Sequence, residues 1–238
     1  MKRIALLATV AALAAGCATK SEMDELKARV EALENAPAPA AAAAAPAADA
    51  ANAERAARDL YVAARELASN GDNDGAKAKL QELMNNHGST RTAQRAERML
   101  TELNLVGSAA APINAESWFQ GAAPDVSTGA TLVVFWEKWC PHCRREVPAL
   151  QARHESYAGR MNVIGLTKQS RGISDEEVTS FISENSLTYP MGKEDGSLSS
   201  AYAVSGIPAA AFVKDGTIVW RGHPGQLTDE MIDGFLAN

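Results

Sequence analysis

Leu132-Val133-Val134-Phe135-Trp136-Glu137-Lys138-Trp139-Cys140-Pro141-His142-Cys143-Arg144-Arg145-Glu146-Val147-Pro148-Ala149-Leu150 holds the chain's densest signal. The apolar run from Leu132 to Trp136 reads as a buried strand, and the stretch from Arg144 onward as a helix. Between them, two thiols separated by two residues can close a disulfide within one turn of backbone. Cys140 then stands at a helix N-terminus, where unpaired N–H groups and the macrodipole favour a thiolate over a thiol. CxxC pairs in such settings have thiol pKa values lowered to roughly 3.5 to 7.5. Cys140 is the candidate nucleophile and Cys143 the candidate resolving thiol, which points to redox chemistry. Trp136 and Trp139 pack around the pair and shape its surface.

The competing reading is half of a zinc site, which needs a full set of protein ligands. His142 and His154 can add ligands, but there is no second CxxC and no HxxxH pair. The third cysteine, Cys17, lies far upstream, so no metal is assigned. Three cysteines are also too few for a disulfide scaffold, which leaves them for chemistry and processing. The formal charge of −6 argues against nucleic-acid binding, which wants a basic face. At 238 residues the chain has room for two small domains.

Residues 1–17 begin with Lys2-Arg3 and an apolar run from Ile4 to Ala15, too short to span a bilayer and fitting a secretory signal. They end Leu13-Ala14-Ala15-Gly16-Cys17, which resembles a bacterial lipobox, with Ala14 where the commonest form has Leu. The resemblance implies lipidation of Cys17, and stable anchoring takes two signals such as dual acylation. Ordinary signal cleavage is the alternative. Ala18 in place of Asp favours the outer membrane, on the periplasmic side of a bacterial envelope.

Residues 18–35 carry Met23, Leu26, Val30 and Leu33 at spacings of 3, 4 and 3, an a/d seam. A parallel partner would set Glu22 against Lys27 and Arg29 against Glu34, both attractive. Self-association through residues 20–34 and a lone amphipathic helix both fit. Residues 36–52, alanine-rich with Pro37, Pro39 and Pro46, read as a disordered linker with an extended reach of about 55 Å. Residues 53–107 read as three helices, about 54–69, 74–86 and 90–105, broken at Gly71 and stopped at a C-cap at Gly107. Gly71-Asp72, Ala76, Leu80, Leu83, Ala93, Ala96 and Leu103 resemble a tetratricopeptide-type repeat, although little more than one repeat is present. A spacer, a packing partner for the next domain, and a peptide-binding groove all remain open.

From residue 112 to 238 strands are expected at 131–136, 161–166, 209–213 and 217–220, with helices at about 141–157, 174–184, 197–203 and 227–237. Asp215-Gly216 reads as a tight hairpin turn. The fold class is α/β: a central mixed sheet flanked by helices, preceded by a small all-α segment. Phe135 to Cys143 resembles the active site of the thioredoxin fold. Arg144-Arg145-Glu146-Val147-Pro148, then Tyr189-Pro190-Met191, Asp195-Gly196, Tyr202 to Pro208, and Lys214 to Gly222 resemble the TlpA/ResA-like branch of bacterial envelope thioredoxin-like proteins.

That resemblance implies roles by position. Pro208 matches the family's cis-proline facing the disulfide, with Ile207 offering backbone hydrogen bonds to a substrate strand. Ala209 stands where threonine is common. Pro148 matches a helix-kinking proline. Glu146 matches an acidic residue credited with proton transfer; three residues after Cys143, it shares a helix face with it. Val134 occupies the place of thioredoxin's buried aspartate, and Glu137 reads as surface. The Pro141-His142 loop resembles DsbA-type oxidants: His142 can donate to a Cys140 thiolate, and Lys138, Arg144 and Arg145 add positive charge. A stabilised thiolate makes the disulfide more oxidising, tens of millivolts per good hydrogen bond. The implied activity is thiol–disulfide exchange with protein thiol or disulfide substrates and a redox partner, needing no bound cofactor. Two other readings use the same chain: a copper metallochaperone holding Cu(I) on Cys140, Cys143 and His142, and an envelope scaffold lipoprotein.

Overall fold

A computed structural model of the protein describes residues 20–34 and 39–237. The signal stretch and Cys17 lie outside the described residues. The chain divides into two compact units, Met1–Asn52 and Ala53–Asn238. In the first, α1 (Lys20–Glu34) carries Met23, Leu26 and Val30 exposed along one stripe, as an unpaired a/d seam would. Among the described residues no helix is long and apolar enough to cross a membrane.

The expected linker is corrected: α2 runs over Pro39–Ser69, so most of it is helical. Alanine has the highest helix propensity, and Pro39 opens the helix, where its missing N–H has no partner to lose, while Pro46 removes one hydrogen bond from the interior. Counting prolines as breakers underweighted the alanines between them. Gly71, with φ +82°, ends α2 and turns the chain into α3 (Asn73–His87) and α4 (Arg91–Asn104). Asp72 and Thr90 cap these helices by accepting from the Gly75 and Ala93 N–H groups. Ala57, Ala64, Ala76, Leu80, Leu83, Ala93, Ala96 and Leu103 form one buried seam. The expected C-cap at Gly107 is also corrected: α4 ends at Asn104 with Leu105 as its cap. Gly107 sends its N–H to Ile218 O at 2.8 Å.

The six-stranded sheet is built from β1 (Ser117–Gln120), β2 (Ala130–Trp136), β3 (Asn162–Thr167), β4 (Met191–Lys193), β5 (Ala209–Lys214) and β6 (Thr217–Gly222), in the order β1-β4-β3-β2-β5-β6. The central β2 lies parallel to β3 and antiparallel to β5. Every residue of β2 is buried, because the sheet is covered on both faces and its middle strand must be apolar throughout. Alternate side chains feed two cores. Leu132, Val134 and Trp136 pack with α5 (Pro141–Ser156), α6 (Asp175–Glu184) and α8 (Asp229–Ala237). Val133 and Phe135 face Ile164, Leu166, Tyr202 and α7 (Ser197–Ala201).

The hairpin joining β5 to β6 turns at Asp215 (φ +46°) and Gly216 (φ +78°), both positive as a type I′ turn demands. Gly165 is forced by packing: a Cβ there would sit 2.4 Å from Met191 Sδ. The edge strand β1 and its neighbour β4 have no counterpart among the strands expected from sequence.

Candidate active site

The end of β2 delivers Trp136, Glu137, Lys138 and Trp139 to the start of α5, and Cys140 is the N-cap of that helix. Its Sγ accepts from the Cys143 N–H at 3.4 Å, taking up one of the donors that a helix start leaves unpaired. Pro141 occupies the first helical turn, where a missing N–H costs nothing. Both thiols are free and buried. Cys143 has no exposed surface, and burial first, then its hydrogen bond with the Cys140 side chain, pushes its thiol well above the ordinary value of 9.0. The negative charge of Glu137 adds to that rise, while a backbone hydrogen bond at Glu137 partly offsets it.

Opposite the pair, the Ile207–Pro208 peptide is cis, as the sequence pattern led us to expect. The Cys140 thiol points at the Ile207 carbonyl, 3.8 Å away. The Ile207 N–H has no partner among the described residues. Trp136 is fully buried in the core that also contains both cysteines, whereas Trp139 is half-buried. The Trp139 indole donates to Ser170 Oγ at 2.9 Å, and the Arg171 guanidinium lies 3.5 Å over its ring. That cation–π contact fixes the ring beside the thiols. Pro148 lies inside α5.

Three expectations change. Glu137, read as a surface residue, is 5% exposed; its carboxylate accepts from the Ser170 N–H at 2.9 Å and its carbonyl from the Cys140 N–H at 3.1 Å. It lines a small cavity of about 180 Å³ that reaches Lys168, Ser205 and Ile207. No local pattern marks such a residue; it is buried because the chain leaving β2 passes beneath the loop at Ser170.

Glu146 is half-buried, and its carboxylate oxygens lie 3.2 and 3.4 Å from where a Cβ on Gly225 would be. Helical spacing put it on the face of Cys143, but its side chain reaches across to the His223–Gly225 loop. His142 is exposed, and its Nδ1 lies 2.8 Å from Arg145 Nη2. It makes no hydrogen bond to either sulfur among the described residues. Lys138 is drawn off to Glu177 at 3.0 Å. Among the described residues no group of three or more His, Cys, Asp or Glu is arranged to hold a metal ion.

The AhpC/TSA family model matches residues 117–221. The thioredoxin-like protein YneN of Bacillus subtilis (strain 168) is 25% identical over 112 residues, covering 47% of this chain and 66% of that protein. The thiol-disulfide oxidoreductase ResA of Oceanobacillus iheyensis is 25% identical over 113 residues, 47% of this chain and 58% of its own length. The chain thus spans less than two thirds of either relative. The crystal structure of StoA from Bacillus subtilis is matched with a TM-score of 0.45 and 22% identity, over 54% of this chain and 99% of that one. The helices α2 to α4 lie outside the family match. Residues 117–221, the stretch that carries Cys140, Cys143 and the cis Ile207–Pro208 peptide, are thus similar to the AhpC/TSA family and to thioredoxin-like thiol-disulfide oxidoreductases.

Proposed function

We propose that the protein is a thiol–disulfide oxidoreductase of the bacterial cell envelope, exchanging disulfides with protein substrates through Cys140 and Cys143. One observation carries the reading: Cys140 caps a helix, 3.4 Å from the Cys143 N–H and 3.8 Å from Ile207 O beside a cis-proline. Cys140 sulfur attacks a substrate disulfide; a Cys140–substrate mixed disulfide forms and the first substrate thiolate leaves. Cys143 then loses its proton and attacks the Cys140 sulfur. The internal disulfide forms, the second substrate thiolate departs, and the substrate has gained two electrons. Run backwards, the same steps oxidise a substrate dithiol, so the potential of the redox partner sets the direction. The unclaimed Ile207 N–H offers the substrate strand a backbone hydrogen bond during the exchange.

Glu137, rather than Glu146, is the carboxylate that receives the Cys143 proton. The lipobox-like sequence at Cys17 supports attachment to a membrane, the outer membrane being favoured. The exposed Met23, Leu26 and Val30 support self-association through α1. Equal sedimentation of a chain beginning at Ala18 and one beginning at Ala53 would remove that last idea.

The test uses the full chain carrying Cys17→Ser. The reduced protein should reduce insulin disulfides, and titration against glutathione gives the potential of the pair. Cys140→Ser should fall to the uncatalysed rate, and Cys143→Ser should accumulate mixed disulfides. Insulin reduction that survives Cys140→Ser would overturn the assignment.

A further inference from the structure

The helical segment does more than precede the redox domain. It forms one wall of a cleft of about 910 Å³ whose opposite wall includes Ser205, Gly206, Ile207 and Pro208. That volume is at the upper end for ligand sites and suits a stretch of polypeptide. The walls are fastened together. The Gly107 and Ala110 N–H groups donate to Ile218 O and Gly216 O, and the Ile218 N–H returns a bond to Ser108 O. Arg221 is buried with its guanidinium donating to the carbonyls of Tyr202, Ala203 and Ala210, and it pairs with Glu102 of α4 at 3.6 Å.

The helical wall presents Arg65, Arg95 and Arg98, all exposed. None of them has an ion-pair or side-chain hydrogen-bond partner among the described residues. Two carboxylates share the cleft: Glu102 is taken by Arg221, which leaves Glu66 against three guanidiniums. This is a basic wall on a chain whose net charge is −6. Tyr61, Val62 and Met99 add apolar surface between the charges.

We propose that this cleft seats an extended, acidic segment of the substrate protein, flanking the cysteine that Cys140 attacks. The inference rests on the thiol–disulfide reading above and gives it a substrate class. Continuity argues for a substrate rather than an unrelated ligand: the cleft reaches Ile207, whose carbonyl is 3.8 Å from Cys140 Sγ and whose N–H awaits a strand. Charge argues for acidic residues, with Asp or Glu of the bound segment meeting Arg65, Arg95 and Arg98.

The experiment compares disulfide-bonded peptides that differ only in the residues flanking one cysteine: acidic, uncharged or basic. Wild-type protein should reduce the acidic peptide with kcat/KM roughly tenfold above the uncharged one, mostly through KM, because exposed ion pairs are individually weak and three act together. In the triple variant Arg65→Glu, Arg95→Glu, Arg98→Glu, the order should reverse in favour of the basic peptide. These side chains are exposed, so the substitutions do not disturb the core. Equal rates for acidic and uncharged peptides with wild type, or an acidic preference that survives charge reversal, would overturn the proposal. Displacement of a cysteine-free acidic peptide by phosphatidylglycerol vesicles, on the wild type but not on the variant, would give the cleft to a lipid surface and also overturn it. Wild-type reduction of hydroxyethyl disulfide, which has no flanking residues, separates the two claims. Its presence with no peptide preference sinks the cleft alone, and its absence sinks the redox reading with it.

Discussion

Cys143 has no exposed surface, and burial and the neighbouring Cys140 thiol hold its proton in place. A resolving sulfur so placed needs a group to take that proton, and the buried Glu137 is the carboxylate whose charge it feels. In Glu137→Gln two effects should separate. Removing the negative charge should move the alkylation profile of Cys143 to lower pH. Losing the base should slow resolution of the mixed disulfide at neutral pH by about 10²-fold. A variant unchanged in both would remove Glu137 from the site.

The raised Cys143 value also has a stability consequence. Its folded pKa lies above the ordinary 9.0, so its contribution is fully present below pH 9 and is lost as pH rises towards the folded value. The reduced protein should therefore lose urea resistance between pH 8 and pH 10 relative to the disulfide form, in which Cys143 cannot titrate. Tyr189 and Tyr202, also raised by burial, titrate in both forms and cancel in that difference. Equal slopes in the two forms would contradict it.

Among the elements, α5 shows how a reactive group and a structural group become one. Cys140 serves as the N-cap, a position where serine is a preferred residue. Cys140→Ser should accordingly leave the melting temperature within a few degrees of wild type while ending disulfide exchange, which thermal unfolding of the reduced forms would check. The strands β2, β3, β5 and β6 and the helices after them could be read from sequence, because each central strand is a run of apolar residues buried on both faces. β1 and β4 could not. Ser117–Gln120 is only partly buried, β4 is three residues long, and their pairing is set by contacts distant in sequence. The site divides the same way: Cys140, Cys143 and Pro208 announce themselves by spacing and context. The burial of Glu137 and the contacts that Glu146 and His142 make are settled by the loops at Ser170 and His223 and by Arg145.

For the molecule as a whole, the Arg221–Glu102 pair joins what the sequence presented as two separate segments. Burial pulls the Arg221 guanidinium below its usual value and Glu102 pushes it back up. Glu102→Ala should cost roughly 1–3 kcal/mol in urea unfolding, less than a wholly buried pair because Glu102 is a quarter exposed. It should also speed proteolytic cutting between α4 and β1. An unchanged unfolding midpoint would show that the backbone bonds at Gly107, Ser108 and Ala110 hold the segments by themselves.

That joint bears on how the protein is handled at the bench. Trimming the gene to its recognisable half would strip Glu102 from Arg221, leave a charged group in an uncovered hollow, and cut away Arg65, Arg95 and Arg98. Such a fragment could still swap disulfides with small thiols while having lost its sense of which proteins to serve. With the cleft seating substrates as proposed, a truncated preparation would exchange disulfides without the preference expected of the parent.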